Sequence, residues 1–202
     1  MFDVRYIGQY NRNQKKFSPE VFDIFAQPVD YLFNYLSPII VPGCILQHVR
    51  CAAINFHPAP PELPGVGSAS YALYENAESF GVTAHLMTEQ IDAGEIIRVI
   101  RFPIVPEDTC DRLFQRALNY SLILFYEVLY EIARAGQVTF SNEKWKRKAF
   151  TRKQFERWMT LLPTDTLDEF DRKVRAIRHS QFPGPFLEIN GLRFELPPRK
   201  DD

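Results

Sequence analysis

The sequence predicts an α/β protein built on a doubly wound, mostly parallel sheet. Three observations carry that prediction. Two apolar runs of strand length, "VDYLFNYL" and "CAAINFH", follow each other closely, as do strands buried on both faces of a parallel sheet. The second run is polar only at its C-terminal end, the edge where ligands gather in open α/β sheets. A long amphipathic segment, residues 108–135, supplies a covering helix, with Gly136 placed as its stop.

The elements follow in order. "FDVRYIG" reads as a short strand ended by a polar stretch. "SPEVFDIF" starts a helix, with Ser18 as N-cap, Pro19 in the first helical position and Glu20 in the first turn. "VDYLFNYL" is the next strand, and "SPIIVPGCILQHV" is a proline-punctuated turn running into a short helix. "CAAINFH" is a strand, and "SASYALYENAESF" a helix with Tyr71, Tyr74 and Ala77 on one side. "GVTAHLMTE" and "EIIRVIRFPI" are two strands flanking a loop that carries Asp92. "QVTF" is expected as a short strand after the long helix. From about Ser141 the chain changes character, so the expected division is 1–140 for the main domain and 141–202 for a small α+β C-terminal appendage. In that appendage Thr164 or Thr166 caps a helix, and "FLEINGLRFEL" is a hairpin around Asn190-Gly191, a dipeptide suited to a type I′ turn.

Composition narrows the function. The chain has 202 residues, 46% of them hydrophobic and 24% charged, as in a soluble globular protein. A net charge of -1 provides no overall basic field for nucleic acid. Cys44, Cys51 and Cys110 lie in or near apolar segments and read as buried free thiols, which fits a reducing compartment. No signal peptide or membrane-length apolar run is visible, and the expected location is the cytoplasm. His48, His57, His85 and His179 show no paired ligand spacing, so no metal site is expected.

The chemistry gathers in "INFHPAPPELPG" and "GVTAHLMTEQIDAGEII". Asn55 and His57, one residue apart on a strand, point to the same face. An Asn amide can donate to a developing oxyanion, and a His can donate to it or move a proton. A carboxylate such as Asp92 orients such a His or accepts a proton through water. The three suit attack of a nucleophile on a carbonyl carbon. No Ser or Cys elbow accompanies them, which favours direct transfer over an acyl-enzyme. Each feature also has a plain structural reading: a surface or satisfied histidine, a turn aspartate, a proline run that only stiffens a loop.

Taken in order, Asn-x-His-Pro at 55–58, a proline-rich loop ending in Gly65, a helix, Gly-Val-Thr-x-His at 81–85 and Asp-x-Gly-x-Ile-Ile at 92–97 resemble the 10-formyltetrahydrofolate-dependent formyltransferase family. That family includes glycinamide ribonucleotide, methionyl-tRNA and amino-sugar N-formyltransferases. The resemblance is dense from roughly residue 30 to residue 135 and weaker in the tail. It implies that Asn55, His57 and Asp92 are catalytic. Asn55 and His57 would stabilise the tetrahedral oxyanion, with His57 moving a proton to the departing folate nitrogen. Asp92 would position His57 and receive the amine's proton through water. The family's pterin pocket maps onto Leu36 and Ser37, and onto Met87, Thr88, Glu89 and Ile91, with much of the recognition made by backbone groups.

The sequence departs from the family in three places. The loop after His57 is one residue shorter than usual and lacks its basic residue, so Glu62 either meets a cationic or hydroxyl-bearing acceptor or is simply solvated. Family members carry a first βα unit that has no counterpart here, so the sheet is expected to be shortened at its N-terminus, by a shortened form, a misplaced start codon or a different completion of the sheet. A missing strand would expose apolar surface for a neighbour to cover, and a homodimer is one such arrangement. The tail is too short for the barrel domain that holds tRNA in methionyl-tRNA formyltransferases, and it resembles tails of the amino-sugar type. Its Lys144, Lys146, Arg147, Lys148, Arg152, Lys153 and Arg157 are expected as a solvated face over Trp145, Phe150, Phe155 and Trp158. The expected activity is formyl transfer from 10-formyltetrahydrofolate to a primary amine, with a nucleotide-linked amino sugar as the small-molecule partner. A methionyl-tRNA formyltransferase-like enzyme, a hydrolase releasing formate from the same donor, and a truncated folate-binding protein without catalysis are the alternatives.

Overall fold

The computed structural model describes residues 3–10, 16–17, 19–179 and 184–196. A four-stranded sheet, in the order β1 (Val29–Tyr35), β2 (Val49–His57), β3 (Ser79–Leu86) and β4 (Ile96–Pro103), forms its centre. β1 and β2 run parallel, while β2–β3 and β3–β4 are antiparallel. The α/β class therefore holds, but the sheet is mixed instead of mostly parallel. Alternation and apolarity look alike in both strand directions, and here a turn, not a crossover helix, joins β3 to β4.

Short helices α1 (Pro19–Ile24), α2 (Gly43–Leu46) and α3 (Ser68–Tyr74) punctuate the first half, and α4 (Cys110–Ala135) covers one face of the sheet. α4 is held at both ends, at its C-terminus by the predicted Gly136 and at its N-terminus by a cap the sequence reading did not name. The Thr109 hydroxyl accepts from the Arg112 amide, and Gly136 closes the helix at φ 73, a left-handed conformation natural to glycine. Leu113, Ala117, Leu124, Val128 and Ile132 form its buried stripe, at helical three-and-four spacing. They pack on Phe56, Phe80, Val82 and Ala84 of the sheet in one continuous core. Burying each large side chain of this kind contributes about 1.5–3 kcal/mol. Phe125 joins helix to sheet edge-on, its ring centroid 5.1 Å from Phe56 and 5.3 Å from Tyr35.

After residue 141 come α5 (Arg152–Trp158), α6 (Leu167–Ile177) and a small sheet of β5 (Thr160–Leu161), β6 (Phe186–Ile189) and β7 (Leu192–Glu195). Thr166 caps α6 by accepting from the Glu169 amide, and Asn190 (φ 50) and Gly191 (φ 75) make the hairpin turn. Phe150 stacks on Tyr71 at 4.0 Å, and Trp158 packs on Tyr71 and Tyr74, so the aromatic residues of the tail do lie beneath its basic surface and join it to α3.

Several expectations are corrected. Residues 3–8 of "FDVRYIG" form no strand, and Val4 and Ile7 are exposed, because no strand among the described residues pairs their backbone; Phe2 lies outside the described residues. The Ser18 cap also lies outside them. β1 is half-buried rather than buried on both faces, because it is the edge of its sheet among the described residues. "QVTF" is irregular: the Thr139 amide donates to the Glu131 carboxylate, not to a strand. Cys110 is buried, but Cys44 and Cys51 are exposed. No helix among the described residues is long and apolar enough to cross a membrane.

Candidate active site

The face of the sheet turned away from α4 carries the polar residues. Strand alternation sends Phe56 toward Phe125 and leaves Asn55 and His57 on the opposite face. Two other strands place residues beside them in register: Asn34 of β1 and His85 of β3 both lie opposite Asn55, and Thr83 lies opposite His57.

Beyond His57 the prolines restrict the backbone of the 58–66 loop, and backbone bonds from the tail tie the loop down. Lys146 donates to the Pro61 carbonyl, Phe150 to Pro64 and Val66 to the Phe150 carbonyl. Gly65 (φ 88) is required there, since a Cβ would sit 2.3 Å from the Phe150 carbonyl oxygen. The turn between β3 and β4 holds Asp92 at φ 45. Its Gly94 lies so close to the Leu86 carbonyl oxygen that a Cβ would come within 1.9 Å.

These segments converge on the Asp92 carboxylate. Its Oδ2 accepts from the Gly65 amide at 2.7 Å and lies 3.2 Å from His57 Nδ1, while Oδ1 lies 3.3 Å from His85 Nε2. His57 Nε2 is 3.1 Å from the Leu63 carbonyl, so both of its ring nitrogens face acceptors. Asn55 is linked to Asp92 and His57 by hydrogen bonding through His85, whose Nε2 is 3.0 Å from its Nδ2. Trp145 closes the cluster, donating to the Gly94 carbonyl at 2.7 Å with its ring edge-on to both histidines.

Burial sets the electrostatics. It pushes His57 below its ordinary value despite the opposing pull of Asp92 and Leu63, which keeps the imidazole neutral near pH 7. Burial alone would raise Asp92, but the charge of His57, with the bonds and charge from His85 and Gly65, holds its carboxyl at about 2. The cluster is thus a fixed carboxylate beside a neutral imidazole, able to stabilise that ring once it takes a proton.

The six expected pterin residues are placed as follows. Leu36 ends β1 in a left-handed conformation (φ 53) that costs a branched aliphatic residue about 1–2 kcal/mol. Ser37 Oγ accepts from the Ile39 amide. Met87 donates its amide to Ala53 and packs its side chain with Val21, Phe25, Val41 and Ile45. The Thr88 hydroxyl donates to the Gln90 carbonyl, and Glu89 reaches over Gly43. Ile91 is exposed beside Asp92. Glu62, in the shortened loop, pairs with Arg101 at 3.1 Å, and Arg101 also pairs with Glu143.

Sequence reasoning missed His85, Asn34 and Trp145 as members of the cluster. His85 had a local signal, since it shares a strand face with Thr83. Asn34 had one too, as the lone amide inside an apolar run. Trp145 had none, because it lies 51 residues from Gly94.

A family model described as formyl transferase matches residues 15–129, and the chain belongs to that family. It is 28% identical over 147 residues to a methionyl-tRNA formyltransferase of Listeria monocytogenes, covering 72% of this chain and 47% of the relative. The chain thus spans about half the length of that relative. Its fold resembles a sugar N-formyltransferase from a Shewanella species, with TM-score 0.74 and 22% identity over 87% of this chain and 71% of that one. It also resembles the Helicobacter canadensis N-formyltransferase solved with folinic acid and dTDP-3-aminofucose, with TM-score 0.61 and 23% identity over 80% of this chain and 59% of the other.

Proposed function

We propose that this chain transfers a formyl group from 10-formyltetrahydrofolate to a primary amine, and that the amine belongs to a nucleotide-linked amino sugar. The observation that carries the reading is the cluster of buried His85, Asp92 and His57 with half-buried Asn55, on a chain that belongs to the formyl transferase family. The acceptor class is supported by the likeness in fold to an enzyme solved with dTDP-3-aminofucose.

The donor supplies an electrophilic formyl carbon. Asn55 Nδ2 has a second hydrogen beyond the one directed at His85, and that hydrogen donates to the oxyanion formed when the amine adds. His57, neutral through burial, takes the amine's proton in place of Asp92, whose carboxyl held at about 2 is the weaker base, and returns it to the departing folate nitrogen. Asp92 stays ionised throughout and stabilises the imidazolium at Nδ1. Leu36, Ser37, Met87, Thr88, Glu89 and Ile91 hold the pterin, chiefly through their backbone groups.

Turnover of 10-formyltetrahydrofolate by the purified chain tests this. It is followed with amino-sugar nucleotides, glycinamide ribonucleotide or methionyl-tRNA, and with no amine, and products are identified by mass spectrometry. Turnover that depends on an amino-sugar nucleotide and yields its formamide is expected. Turnover without amine would replace the transferase with a hydrolase, and formyl-methionyl-tRNA as the product would replace the acceptor. A folded sample inert toward the whole panel would overturn the proposal.

A further inference from the structure

We propose that Asn34 is a positioning residue, setting which end of the Asn55 amide faces the reacting carbonyl by anchoring the far end of a hydrogen-bond chain across three strands. The inference rests on the formyl-transfer reading for its catalytic consequence, but its structural content stands apart from it.

Asn34, Asn55 and His85 lie opposite one another in register on β1, β2 and β3. Asn34 Nδ2 donates to Asn55 Oδ1 at 3.0 Å, Asn55 Nδ2 lies 3.0 Å from His85 Nε2, and His85 Nδ1 lies 2.8 Å from the Leu86 carbonyl oxygen. That carbonyl can only accept, so a ring proton on Nδ1 satisfies it. With Nδ1 alone protonated, Nε2 is an acceptor, and Asn55 presents its NH2 group to it. Asn55 Oδ1 therefore points to β1, where only a donor is tolerated, and Asn34 provides one. With the ring proton on Nδ1, the backbone carbonyl at one end and the Asn34 amide at the other fix one direction for every bond in the chain.

A competing arrangement sits next to it. Asp92 Oδ1 is 3.3 Å from the same His85 Nε2. A proton on Nε2 would donate to that carboxylate and turn the Asn55 amide over, carrying its NH2 group toward β1 and removing the oxyanion donor. A donor at position 34 opposes this reversal, and an acceptor there favours it. In the run "VDYLFNYL" the one amide falls at the position facing Asn55.

The test compares the wild-type chain with Asn34→Asp, close in shape but acceptor-only, and Asn34→Leu, which removes the donor without adding an acceptor. Steady-state kinetics are measured for both substrates, and nitrogen-15 NMR reads which ring nitrogen of His85 is protonated in the ligand-free protein. Loss of an oxyanion donor lowers kcat by about 10²–10³-fold, so Asn34→Asp should approach that loss and Asn34→Leu fall short of it, with both KM values unchanged. The NMR should show the proton on Nδ1 alone in wild type and protonation of Nε2 in Asn34→Asp. Wild-type kcat in folded Asn34→Asp, or a His85 proton on Nε2 in wild type, would overturn the proposal. An inactive wild-type chain would refute the formyl-transfer reading, and the NMR would still decide the role of Asn34. If Asn34→Asp does not fold, Asn34→Leu decides: a kcat equal to wild type refutes the positioning role.

Discussion

Replacing Asp92 by Asn should remove a defined part of the protein's dependence on acid. The carboxylate is only 7% exposed, and its partners hold it at about 2 against an ordinary 3.8. Burial opposes that depression, so the stabilisation comes from His57 and His85 and from the Gly65 amide. A depression from 3.8 to about 2, at about 1.4 kcal/mol per pH unit, is worth about 2 kcal/mol. As the pH falls the unfolded chain binds this proton first. The contribution is therefore complete above the unfolded value and is lost as the pH drops through the folded one. Urea unfolding followed by the fluorescence of Trp145 and Trp158, at steps from about pH 5 to about pH 2, measures it. Wild type should lose about 2 kcal/mol more than Asp92→Asn across that window. His57, whose folded value is lowered by burial, adds loss that begins nearer neutrality and separates by pH range. Equal slopes for the two proteins between about pH 4 and pH 2 would refute the assignment of the cluster's charge to Asp92.

Three further outcomes are expected. His57→Ala should lower kcat by about 10²–10⁴-fold, and both it and Asp92→Asn should still bind folate by calorimetry, because the proposed pterin residues lie outside the His57–Asp92 pair; loss of folate binding in folded variants would contradict that separation. Gly94→Ala places a Cβ against the Leu86 carbonyl at 1.9 Å, and should lower the urea midpoint by an amount equivalent to about 1–3 kcal/mol; an unchanged midpoint would mean that the turn accommodates a side chain. A thiol reagent should label Cys44 and Cys51 quickly and Cys110 only on unfolding, since Cys110 is buried and its thiol is pushed up to about 11 by that burial; fast labelling at Cys110 would show that α4 opens in the native state.

Local chemistry made much of this protein legible in its sequence. Alternation along β2 put Asn55 and His57 on one face, because that periodicity belongs to the extended backbone itself. Gly136 and Asn190-Gly191 punctuate the chain where predicted and Thr166 is one of the two caps expected, since caps and turns are satisfied by residues only a few positions away. "FDVRYIG" misleads for the complementary reason: its residues suit a strand, but a strand exists only where a neighbour pairs its backbone.

Tertiary structure decided the rest. Strand direction is not encoded in apolar spacing, so the antiparallel β3 and β4, and with them the placement of His85 opposite Asn55, emerge only when the sheet assembles. Asn34 meets Asn55 through register between strands, and Trp145 reaches Gly94 because the tail is laced to the 58–66 loop by backbone bonds. The sequence by itself determined which residues could do chemistry and on which side of their own strands they stand. Which of them touch, and which nitrogen of each histidine faces an acceptor, depended on contacts between remote segments. Local backbone preferences act over a few residues and cannot reach that far.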